Sequence, residues 1–275
     1  MSDMTEGYDE FCAYLEKYSG IFLGANKQYL VSSRLRKLMA EHKLSNLHDL
    51  IKTIDRPGQN KLKTEVIDAM TTNETLWFRD NHPYRILEEV LLPEFYGRKP
   101  ARPMRIWSAA CSTGQEPYSM SMIINDYKAK NRVFASGERI IATDISPSAL
   151  EQAKSGEYAS LAIGRGLDPT RLKKHFSEID GGRFKIDPKI AAMIDFKQLN
   201  LQDSYAMLGK FDVIFCRNVL IYFTGDFKKD ILTRIHSILN PGGYLMVGAS
   251  EAVNGLSDLY EMVHCRPGII YRKKS

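Results

Sequence analysis

The sequence predicts a small all-helical domain followed by an α/β domain built around a parallel sheet. Up to about residue 70, apolar residues recur at helical spacing and almost no strand signal is present. From residue 85 onward, short apolar runs alternate with helical runs, which is typical of parallel strands covered by helices. A chain of 275 residues is long enough for one large domain and a small companion. We therefore expect a helical domain over 1–70, a connecting segment over 71–84 and an α/β domain over 85–275.

Four amphipathic runs make up the predicted helical domain. The first ends at Gly20, a residue type that is common just after a helix. The third begins after Ser45 or Asn46, either of which could cap it. The second, over 27–43, has an apolar arc flanked by basic side chains, so we expect one face to pack and the others to meet solvent. The arc consists of Val31, Leu35, Leu38 and Met39, and the basic residues are Lys27, Arg34, Arg36, Lys37 and Lys43.

Six strand-like runs alternate with helical runs in the α/β half. One connection is longer than such units usually need, because about 35 residues separate the SGEY segment from the third run. Within it, Asp180, Gly181 and Gly182 stand between two alternating apolar runs, which predicts a β-hairpin. We expect a small antiparallel subdomain inserted over about 157–192. The six runs are MRIWSA (104–109), RIIATD (139–144), IDFKQLNL (194–201), FDVIFC (211–216), GYLMVGA (243–249) and GIIYRK (268–273).

The residues at the strand ends predict what the α/β domain binds. After the first strand, small residues lead through Gly114 into a helix, an arrangement that often cradles a phosphate. Here, however, Glu116 stands in the first turn, where it would repel a phosphate. Asp144 ends the second strand, where an acidic residue accepts hydrogen bonds from ribose hydroxyls, and Asn200 ends the third, where its amide could meet an adenine edge. A nucleoside that carries a cation instead of a phosphate suits this set, which predicts S-adenosylmethionine.

Both acidic residues also have a purely structural explanation. The helix dipole favours a carboxylate in the first turn of a helix, which would account for Glu116. An aspartate just before a helix is a good turn and cap residue, which would account for Asp144. The order of the strand ends, of which the fourth carries Arg217 and Asn218, favours the cofactor interpretation.

The composition argues against several classes of protein. The net charge of +5 is too small to require nucleic acid as a partner. No apolar segment approaches the roughly 20 residues of a membrane span, and the N-terminus has no secretory signal. The 4 cysteines and 6 histidines are scattered without metal-ligand spacing. We expect a cytoplasmic protein without disulfides and without a metal.

Five segments follow one another in a specific order. They are TTNETLWFRD (71–80), RIWSAACSTGQEPYSMSM (105–122), IIATDIS (140–146), FCRNVLIYF (215–223) and LNPGGYLMVGASE (239–251). Together with the helical N-terminal domain and the hairpin insertion, they resemble the chemotaxis receptor glutamate O-methyltransferases, the CheR family. The resemblance implies a Rossmann-like, S-adenosylmethionine-dependent enzyme that esterifies glutamate side chains on chemoreceptor helices. Its products would be glutamate methyl esters and S-adenosylhomocysteine, and its role adaptation in bacterial chemotaxis.

The resemblance also implies a set of cofactor-binding residues. Some approach the cofactor from the connecting segment, and the others lie at the strand ends of the α/β domain. Thr72 or Asn73 could also cap a helix whose Leu76 and Trp77 pack between the domains, and the two interpretations are compatible. The cofactor set is Asn73, Thr75, Arg79, Glu116, Asp144, Asn200, Leu201, Arg217 and Asn218.

The implied reaction needs no general base. A glutamate carboxylate has a pKa of about 4.3, so it is already a nucleophile at neutral pH. The enzyme has to align the attacking oxygen, the methyl carbon and the sulfur, and to exclude water. Arg79 and Tyr222 are the candidates for positioning groups near the reaction centre. Cys111 and Cys216 are interpreted as buried packing residues.

The implied partner is the acidic helical bundle in the cytoplasmic domain of a membrane chemoreceptor. The basic helix over 27–43 is the expected contact surface, although a run of charges on a helix is usually only a solvated face. We expect a monomer that neither binds nucleic acid nor inserts into a membrane. Two other functions stay open: a nucleic-acid methyltransferase and a non-catalytic S-adenosylmethionine-binding regulator. The first usually carries an Asp/Asn-Pro-Pro-aromatic motif where this chain has RNVLIYF (217–223).

Overall fold

The structure is a computed structural model that describes residues 6–24, 26–98, 102–133 and 137–274. Within these ranges, the first part contains four α-helices around one apolar core. The second part contains a seven-stranded sheet covered by helices and a separate three-stranded sheet. No helix in the described part of the chain is long and apolar enough to cross a membrane.

The helical part follows the predicted pattern closely. Its helices are α1 (Tyr8–Ser19), α2 (Gln28–Glu41), α3 (Leu47–Ile54) and α4 (Asn60–Met70). α1 stops at Gly20, whose φ of 74° is the left-handed conformation that glycine adopts without strain. α3 is capped by Asn46, whose side chain accepts a hydrogen bond from the backbone N–H of Asp49 at 2.8 Å. On α2, the arc of Val31, Leu35 and Met39 is buried and Leu38 packs at its margin.

The strands of the second part are divided between the two sheets. In chain order they are β1 (Arg105–Ala109), β2 (Arg139–Asp144), β3 (Glu157–Ala159), β4 (Phe176–Ile179), β5 (Arg183–Ile186), β6 (Ile194–Gln198), β7 (Phe211–Cys216), β8 (Leu239–Val247), β9 (Tyr260–Cys265) and β10 (Gly268–Lys273). The large sheet has the order β6-β2-β1-β7-β8-β10-β9, and its first five strands are parallel. Because the carboxyl ends of parallel strands meet at one edge, the residues that follow them are brought together there.

Helices cover both faces of the large sheet. The helices of the second part are α5 (His82–Ile86), α6 (Leu92–Gly97), α7 (Gln115–Asn131), α8 (Pro147–Ser155), α9 (Ser160–Ile163), α10 (Pro169–His175), α11 (Pro188–Ala191) and α12 (Gly225–Ile238), and a π-helical turn (Leu87–Leu91) joins α5 to α6. Of these, α9 and α10 contact the small sheet instead. Successive residues of β1 point to opposite faces, so Ile106 packs with α7 and Trp107 packs with α12.

The large sheet is mixed, so the prediction of a parallel sheet is wrong at one edge. β10 pairs antiparallel with both β8 and β9. The sequence pattern does not predict β9, because Tyr260 is its only buried residue and the strand lacks an apolar run. β8 also begins at Leu239, earlier than predicted, with an irregular register opposite β7.

The predicted hairpin is confirmed, and a third strand joins it. β4 and β5 pair antiparallel around residues 180–182, where Gly181 and Gly182 have positive φ values of 78° and 66°. β3 pairs with the other edge of β5. The small sheet therefore lies within the segment that the sequence assigns to an insertion.

The connecting segment is irregular over 71–81, so the alternative that Thr72 or Asn73 caps a helix there is wrong. Trp77 packs against the small sheet, with its ring centroid 4.9 Å from that of Tyr158 and 5.4 Å from that of Phe176. The Trp77 indole N–H also donates to the carbonyl of Ala162 at 3.0 Å. The small sheet thereby holds the middle of the connecting segment.

Candidate cofactor site

A cavity lies at the carboxyl edge of the parallel strands, between the helical part and the large sheet. Its walls come from the connecting segment, from the turn after β1 and from the ends of β2, β6 and β7. The structure brings all the site residues predicted from the sequence to this one cavity. They are Asn73, Thr75, Arg79, Glu116, Asp144, Asn200, Leu201, Arg217, Asn218 and Tyr222.

The turn after β1 has an unusual backbone that lets it approach a ligand. Ala110, Ser112 and Gly114 have positive φ values of 67°, 50° and 96°. This conformation costs roughly 1 to 2 kcal/mol for a residue with a side chain, and such strain is often found at functional sites. A Cβ on Gly114 would lie 3.0 Å from the Cβ of Ala153, a tight contact, and the positive φ adds strain, so this position favours glycine. The turn brings Glu116, in the first turn of α7, to the cavity wall.

A buried charge cluster lies in the wall of the cavity. Arg217, which is 4% exposed, stands between two carboxylates. Its Nη1 donates to Oε2 of Glu116 at 3.2 Å, and its Nη2 donates to Oδ2 of Asp80 at 2.6 Å. The hydroxyl of Ser108 donates to Oε1 of Glu116 at 2.8 Å. Burial raises the pKa of Glu116, and the Arg217 guanidinium opposes that shift.

The partner of Glu116 changes the charge argument made from the sequence. Arg217 already compensates one carboxylate, so Glu116 alone does not demand a cationic ligand. Asp80 is exposed and does not line the cavity, so it does not count towards the charge of the wall. Together with Glu74, Arg79 and Asp144, which do line the cavity, Glu116 and Arg217 form a cluster of three carboxylates and two guanidiniums, and the ionised cluster carries one net negative charge. The cluster as a whole therefore still favours a cation over a phosphate.

Asp144 is a turn residue as well as a cavity residue. Its Oδ2 accepts a hydrogen bond from the backbone N–H of Ser112 at 2.7 Å, and its Oδ1 accepts one from that of Ser146 at 3.0 Å. Burial raises the pKa of Asp144, and these two hydrogen bonds oppose the shift. Each carboxylate oxygen has two lone pairs, so both retain the capacity to accept a ribose hydroxyl. The structural and the ligand-binding interpretations are thus compatible.

Arg34 holds the start of the connecting segment. Its Nη1 donates to the carbonyl oxygens of Met70 at 2.5 Å and Thr71 at 3.1 Å, and its Nη2 donates to Oγ1 of Thr72 at 2.7 Å. Arg34 is therefore engaged within the protein, so the expected contact surface over 27–43 depends on the other basic residues of this segment. The exposed basic residues of the segment 27–43 are Lys27, Arg36, Lys37 and Lys43.

The rest of the connecting segment is tied to the turns of the sheet. The carbonyl of Asn73 accepts a hydrogen bond from the hydroxyl of Ser112 at 2.8 Å, and its Nδ2 donates to Oγ of Ser146 at 3.3 Å. Further along, Nη1 of Arg79 donates to the carbonyl of Glu74 at 3.1 Å. These bonds hold both residues beside the cavity.

Asn200 lines the cavity, but its amide also makes hydrogen bonds within the protein. Its Nδ2 donates to the carbonyl of Tyr18 at 2.8 Å, and its Oδ1 accepts from the backbone N–H of Gln202 at 3.0 Å. The amide therefore fastens the end of β6 to α1, a role that the sequence does not predict. Leu201 beside it is 7% exposed and adds apolar surface.

Asn218 and Tyr222 lie on the turn after β7. Asn218 has a φ of 59°, a left-handed conformation that asparagine adopts more readily than most residues. Tyr222 ends a short 3₁₀ helix, and its carbonyl accepts a hydrogen bond from the backbone N–H of Phe22 at 2.9 Å. The loop after α1 thus meets this turn beside the cavity.

The cysteines and histidines offer no base or nucleophile at the cavity. Burial raises the pKa of the Cys111 and Cys216 thiols well above the ordinary value, as the packing interpretation requires. Neither His82 nor His236 lines the cavity, and no other histidine of the described residues does.

Comparison with known proteins identifies the family. The model "CheR methyltransferase, all-alpha domain" matches residues 6–71, and the model "CheR methyltransferase, SAM binding domain" matches residues 73–269. The chain belongs to the CheR methyltransferase family. It is 52% and 53% identical, over the full length of both chains, to chemotaxis protein methyltransferases of Pseudomonas putida and Pseudomonas aeruginosa. A chemotaxis protein methyltransferase of Vibrio cholerae is 49% identical over 97% of this chain and 96% of its own.

Membership in the CheR family confirms the predicted fold class, enzyme class and cofactor. The chain is an S-adenosylmethionine-dependent methyltransferase of the chemotaxis type. Glutamate O-methylation is the known activity of CheR enzymes, and it agrees with the function that the sequence predicts.

Two buried atoms test whether this cavity fits the cofactor. Nε of Arg217 and the hydroxyl of Tyr84 are buried without a hydrogen-bond partner among the described residues, and both residues line the cavity. A buried polar atom without a partner costs about 1 to 3 kcal/mol, so its presence at a cavity wall points to a ligand. The α-carboxylate of S-adenosylmethionine would accept from such donors, and the net negative cluster suits its sulfonium and ammonium groups. The residues present fit the cofactor, and Tyr84 is a site residue that sequence reasoning misses.

Proposed function

We propose that the protein methylates glutamate side chains on the cytoplasmic helices of membrane chemoreceptors, working in the cytoplasm. The observation that supports this most directly is the composition of the cavity wall. The ionised residues that line the cavity, Glu74, Glu116 and Asp144 against Arg79 and Arg217, carry one net negative charge, which suits a sulfonium. No histidine of the described residues lines the cavity, and Cys111 and Cys216 are buried thiols whose pKa is raised. Such a site suits a substrate that is already ionised, as a glutamate carboxylate is at neutral pH.

The proposed cofactor contacts divide along the cavity. S-adenosylmethionine supplies an electrophilic methyl group on a sulfonium cation. Asp144 accepts hydrogen bonds from the ribose hydroxyls, as acidic residues at the second strand end do in related folds. Glu116 attracts the ammonium group, and Arg217 donates to the carboxylate through its free Nε. The remaining residues of the set, Asn73, Thr75, Asn200, Leu201 and Asn218, complete the walls around the nucleoside.

Arg79 and Tyr222 are proposed to orient the substrate carboxylate. Arg79 belongs to the connecting segment and Tyr222 to the turn after β7, so they approach the cavity on different elements. A guanidinium and a phenol can each donate a hydrogen bond to one carboxylate oxygen and leave a lone pair directed at the methyl carbon. With S-adenosylmethionine bound, the carboxylate oxygen would take the methyl group and the sulfur would leave as a neutral thioether, so no proton would have to move. No group of the chain therefore has to act as a base.

We expect kcat to be independent of pH from about pH 6.5 to 8.5. The rate should fall only at lower pH, as the substrate glutamate protonates near its reference pKa of about 4.3 or somewhat above it when desolvated. A histidine base would instead give a limb near pH 6.5. The measurement is kcat against pH, at saturating receptor fragment and cofactor, for wild type, His82→Gln and His236→Gln. A limb near pH 6.5 that either substitution abolished would contradict the base-free mechanism.

The proposed receptor contact consists of α2 and the residues at its two ends, with Lys27, Arg36, Lys37 and Lys43 as its exposed basic side chains. Lys37 lies 3.8 Å from Oε1 of Glu41, and the two side chains are 90% and 60% exposed. Such a pair contributes roughly 0 to 1 kcal/mol in water, so Lys37 remains available to another partner. A basic helix face complements an acidic receptor bundle and speeds the encounter between them.

Changing Arg36 and Lys37 together to glutamate should raise the KM for a receptor fragment about tenfold. The affinity for S-adenosylhomocysteine should stay unchanged, because neither side chain lines the cavity. The wild-type kcat/KM should also fall with added salt, since charges beyond about 10 Å are screened at 0.1 M. The matched control changes Lys130 and Lys189, two exposed lysines on α7 and α11, to glutamate. Equal KM values for the two double variants would exclude α2 as the docking surface.

The direct test of the proposed function is methyl transfer to receptor cytoplasmic fragments. With isotopically labelled S-adenosylmethionine, mass spectrometry should find base-labile methyl esters on glutamates of the fragment. Nucleic acid offered in its place should stay unlabelled. Label on nucleic acid would support a nucleic-acid methyltransferase. Cofactor binding without transfer to any receptor fragment would support a non-catalytic S-adenosylmethionine-binding regulator.

A further inference from the structure

Glu251 stands behind the cavity and has no part in the mechanism described above. It follows β8 and does not line the cavity. Its Oε2 accepts hydrogen bonds from the backbone N–H groups of Asn218 at 2.7 Å and Gly248 at 2.6 Å. Its Oε1 accepts a longer one from that of Ile221 at 3.3 Å. Two of these three donors belong to the turn that presents Asn218 and Tyr222 to the cavity.

This turn needs an acceptor from elsewhere in the chain. The left-handed φ of Asn218, 59°, is unfavourable for most residues that carry a side chain. The 3₁₀ helix Leu220–Tyr222 has no side-chain cap, so the first N–H groups of this helix lack a local acceptor. One distant carboxylate supplies acceptors to both features. The conformation of the turn is therefore coupled to the position of Glu251.

The close approach of Glu251 depends on Gly248. A Cβ at position 248 would lie 2.6 Å from Oε2 of Glu251 and 2.8 Å from Nδ2 of Asn218. Both distances are too short for a real Cβ contact, so a side chain there would displace one of the two groups. Gly248, Glu251 and Asn218 thus pack as one unit behind the cavity wall.

We propose that Glu251 is a positioning residue of the methyl-transfer reaction. It holds the turn after β7 in the conformation in which Asn218 meets the cofactor and Tyr222 meets the substrate carboxylate. This inference rests on the proposed roles of Asn218 and Tyr222. Both short hydrogen bonds end on Oε2 of Glu251, so we assign most of the contribution to that acceptor, and the longer bond from Ile221 to Oε1 adds a smaller part.

The test compares Glu251→Ala with Glu251→Gln. A glutamine keeps an acceptor oxygen for the two short hydrogen bonds and loses only the longer one from Ile221, so its Kd for S-adenosylhomocysteine and its kcat should stay within about threefold of wild type. Alanine leaves the N–H groups without an acceptor, and we expect the Kd to rise about 3- to 10-fold. Misplacement of Tyr222 should lower kcat at least about tenfold. The Kd is measured by calorimetry and kcat with a receptor fragment.

Asp212→Ala is the matched control. The Asp212 carboxylate also holds backbone, since it accepts from the N–H of Arg105 at 2.9 Å, but it lies at the start of β7, away from the cavity. Both alanine variants should lower the thermal unfolding midpoint. Only Glu251→Ala should change the Kd and kcat. In Asp212→Ala the lost hydrogen bond lies away from the cavity, so this variant should lose stability and keep both values.

Gly248→Ala provides a second route to the same displacement. The added Cβ would lie 2.6 Å from Oε2 of Glu251 and 2.9 Å from the backbone nitrogen of Asn218, so it should separate the two and reproduce the losses of Glu251→Ala, even if that variant fails to fold. Wild-type Kd and kcat in Gly248→Ala, or equal losses in Glu251→Gln and Glu251→Ala, would overturn the inference. The calorimetric Kd is measured without receptor. Failure of the wild type to methylate receptor fragments would therefore reject the proposed function separately.

Discussion

Replacing Arg217 by methionine should lower the free energy of unfolding by about 3 to 5 kcal/mol, the usual cost of removing one partner from a buried ion pair. The substitution keeps most of the aliphatic volume but leaves Glu116, 8% exposed, without its cation. Asp80 loses the same partner, although it can turn toward solvent. The expected loss therefore comes mainly from the buried Glu116 carboxylate.

The loss of unfolding free energy in Arg217→Met, relative to wild type, should become smaller as the pH falls. Burial already raises the pKa of Glu116, and loss of the guanidinium should raise it further. A carboxyl group with a raised pKa in the folded state destabilises the fold above that pKa, and the cost disappears as the group protonates. The difference from wild type should hence be smaller at pH 5 than at pH 8.

Urea unfolding of wild type and Arg217→Met at both pH values measures this effect. The control is Arg85→Met, which removes an exposed pair with Glu89 whose side chains are 57% and 49% exposed. Such a pair contributes less than about 1 kcal/mol. A deficit for Arg217→Met as small as that of the control, or one that grows as the pH falls, would contradict the buried-charge account.

The fold was predictable where burial shapes the sequence directly. β1, β2 and β7 lie inside the sheet and are buried along nearly their whole length, so their sequences are mostly apolar. β9 lies at an edge with only Tyr260 buried, so its sequence resembles a loop. The irregular path over 71–81 depends on contacts of Trp77 with a sheet far along the chain, which no local pattern encodes.

The candidate site was predictable to the extent that strand topology gathers its residues. Parallel strands place their carboxyl ends at one edge, so residues after β1, β2, β6 and β7 had to converge. The pairing of Arg217 with Asp80 and the bonds of Arg34 to the connecting segment depend on tertiary geometry instead. Sequence spacing indicates which residues meet at the cavity, but it does not indicate which of them bond to each other.

Asp144→Ala should weaken S-adenosylhomocysteine binding by about 1 to 3 kcal/mol, or roughly 5- to 150-fold, if the carboxylate accepts from the ribose. The variant should also lose thermal stability, because the N–H groups of Ser112 and Ser146 lose their acceptor. Asp168→Ala is the control for this second effect. Asp168 likewise accepts a backbone N–H, that of Arg171 at 3.0 Å, and does not line the cavity. It should lose stability and keep the wild-type Kd.

A thermodynamic cycle that combines Asp144→Ala with a change in the ligand separates the two roles of Asp144. An analogue of S-adenosylhomocysteine without ribose hydroxyls cannot bond to the carboxylate, whatever the state of the turn. If Asp144 binds the ribose, wild type and Asp144→Ala should bind this analogue with similar Kd values, although they differ strongly for S-adenosylhomocysteine. Equal weakening of both ligands in Asp144→Ala would mean that the aspartate acts only through the turn that it holds.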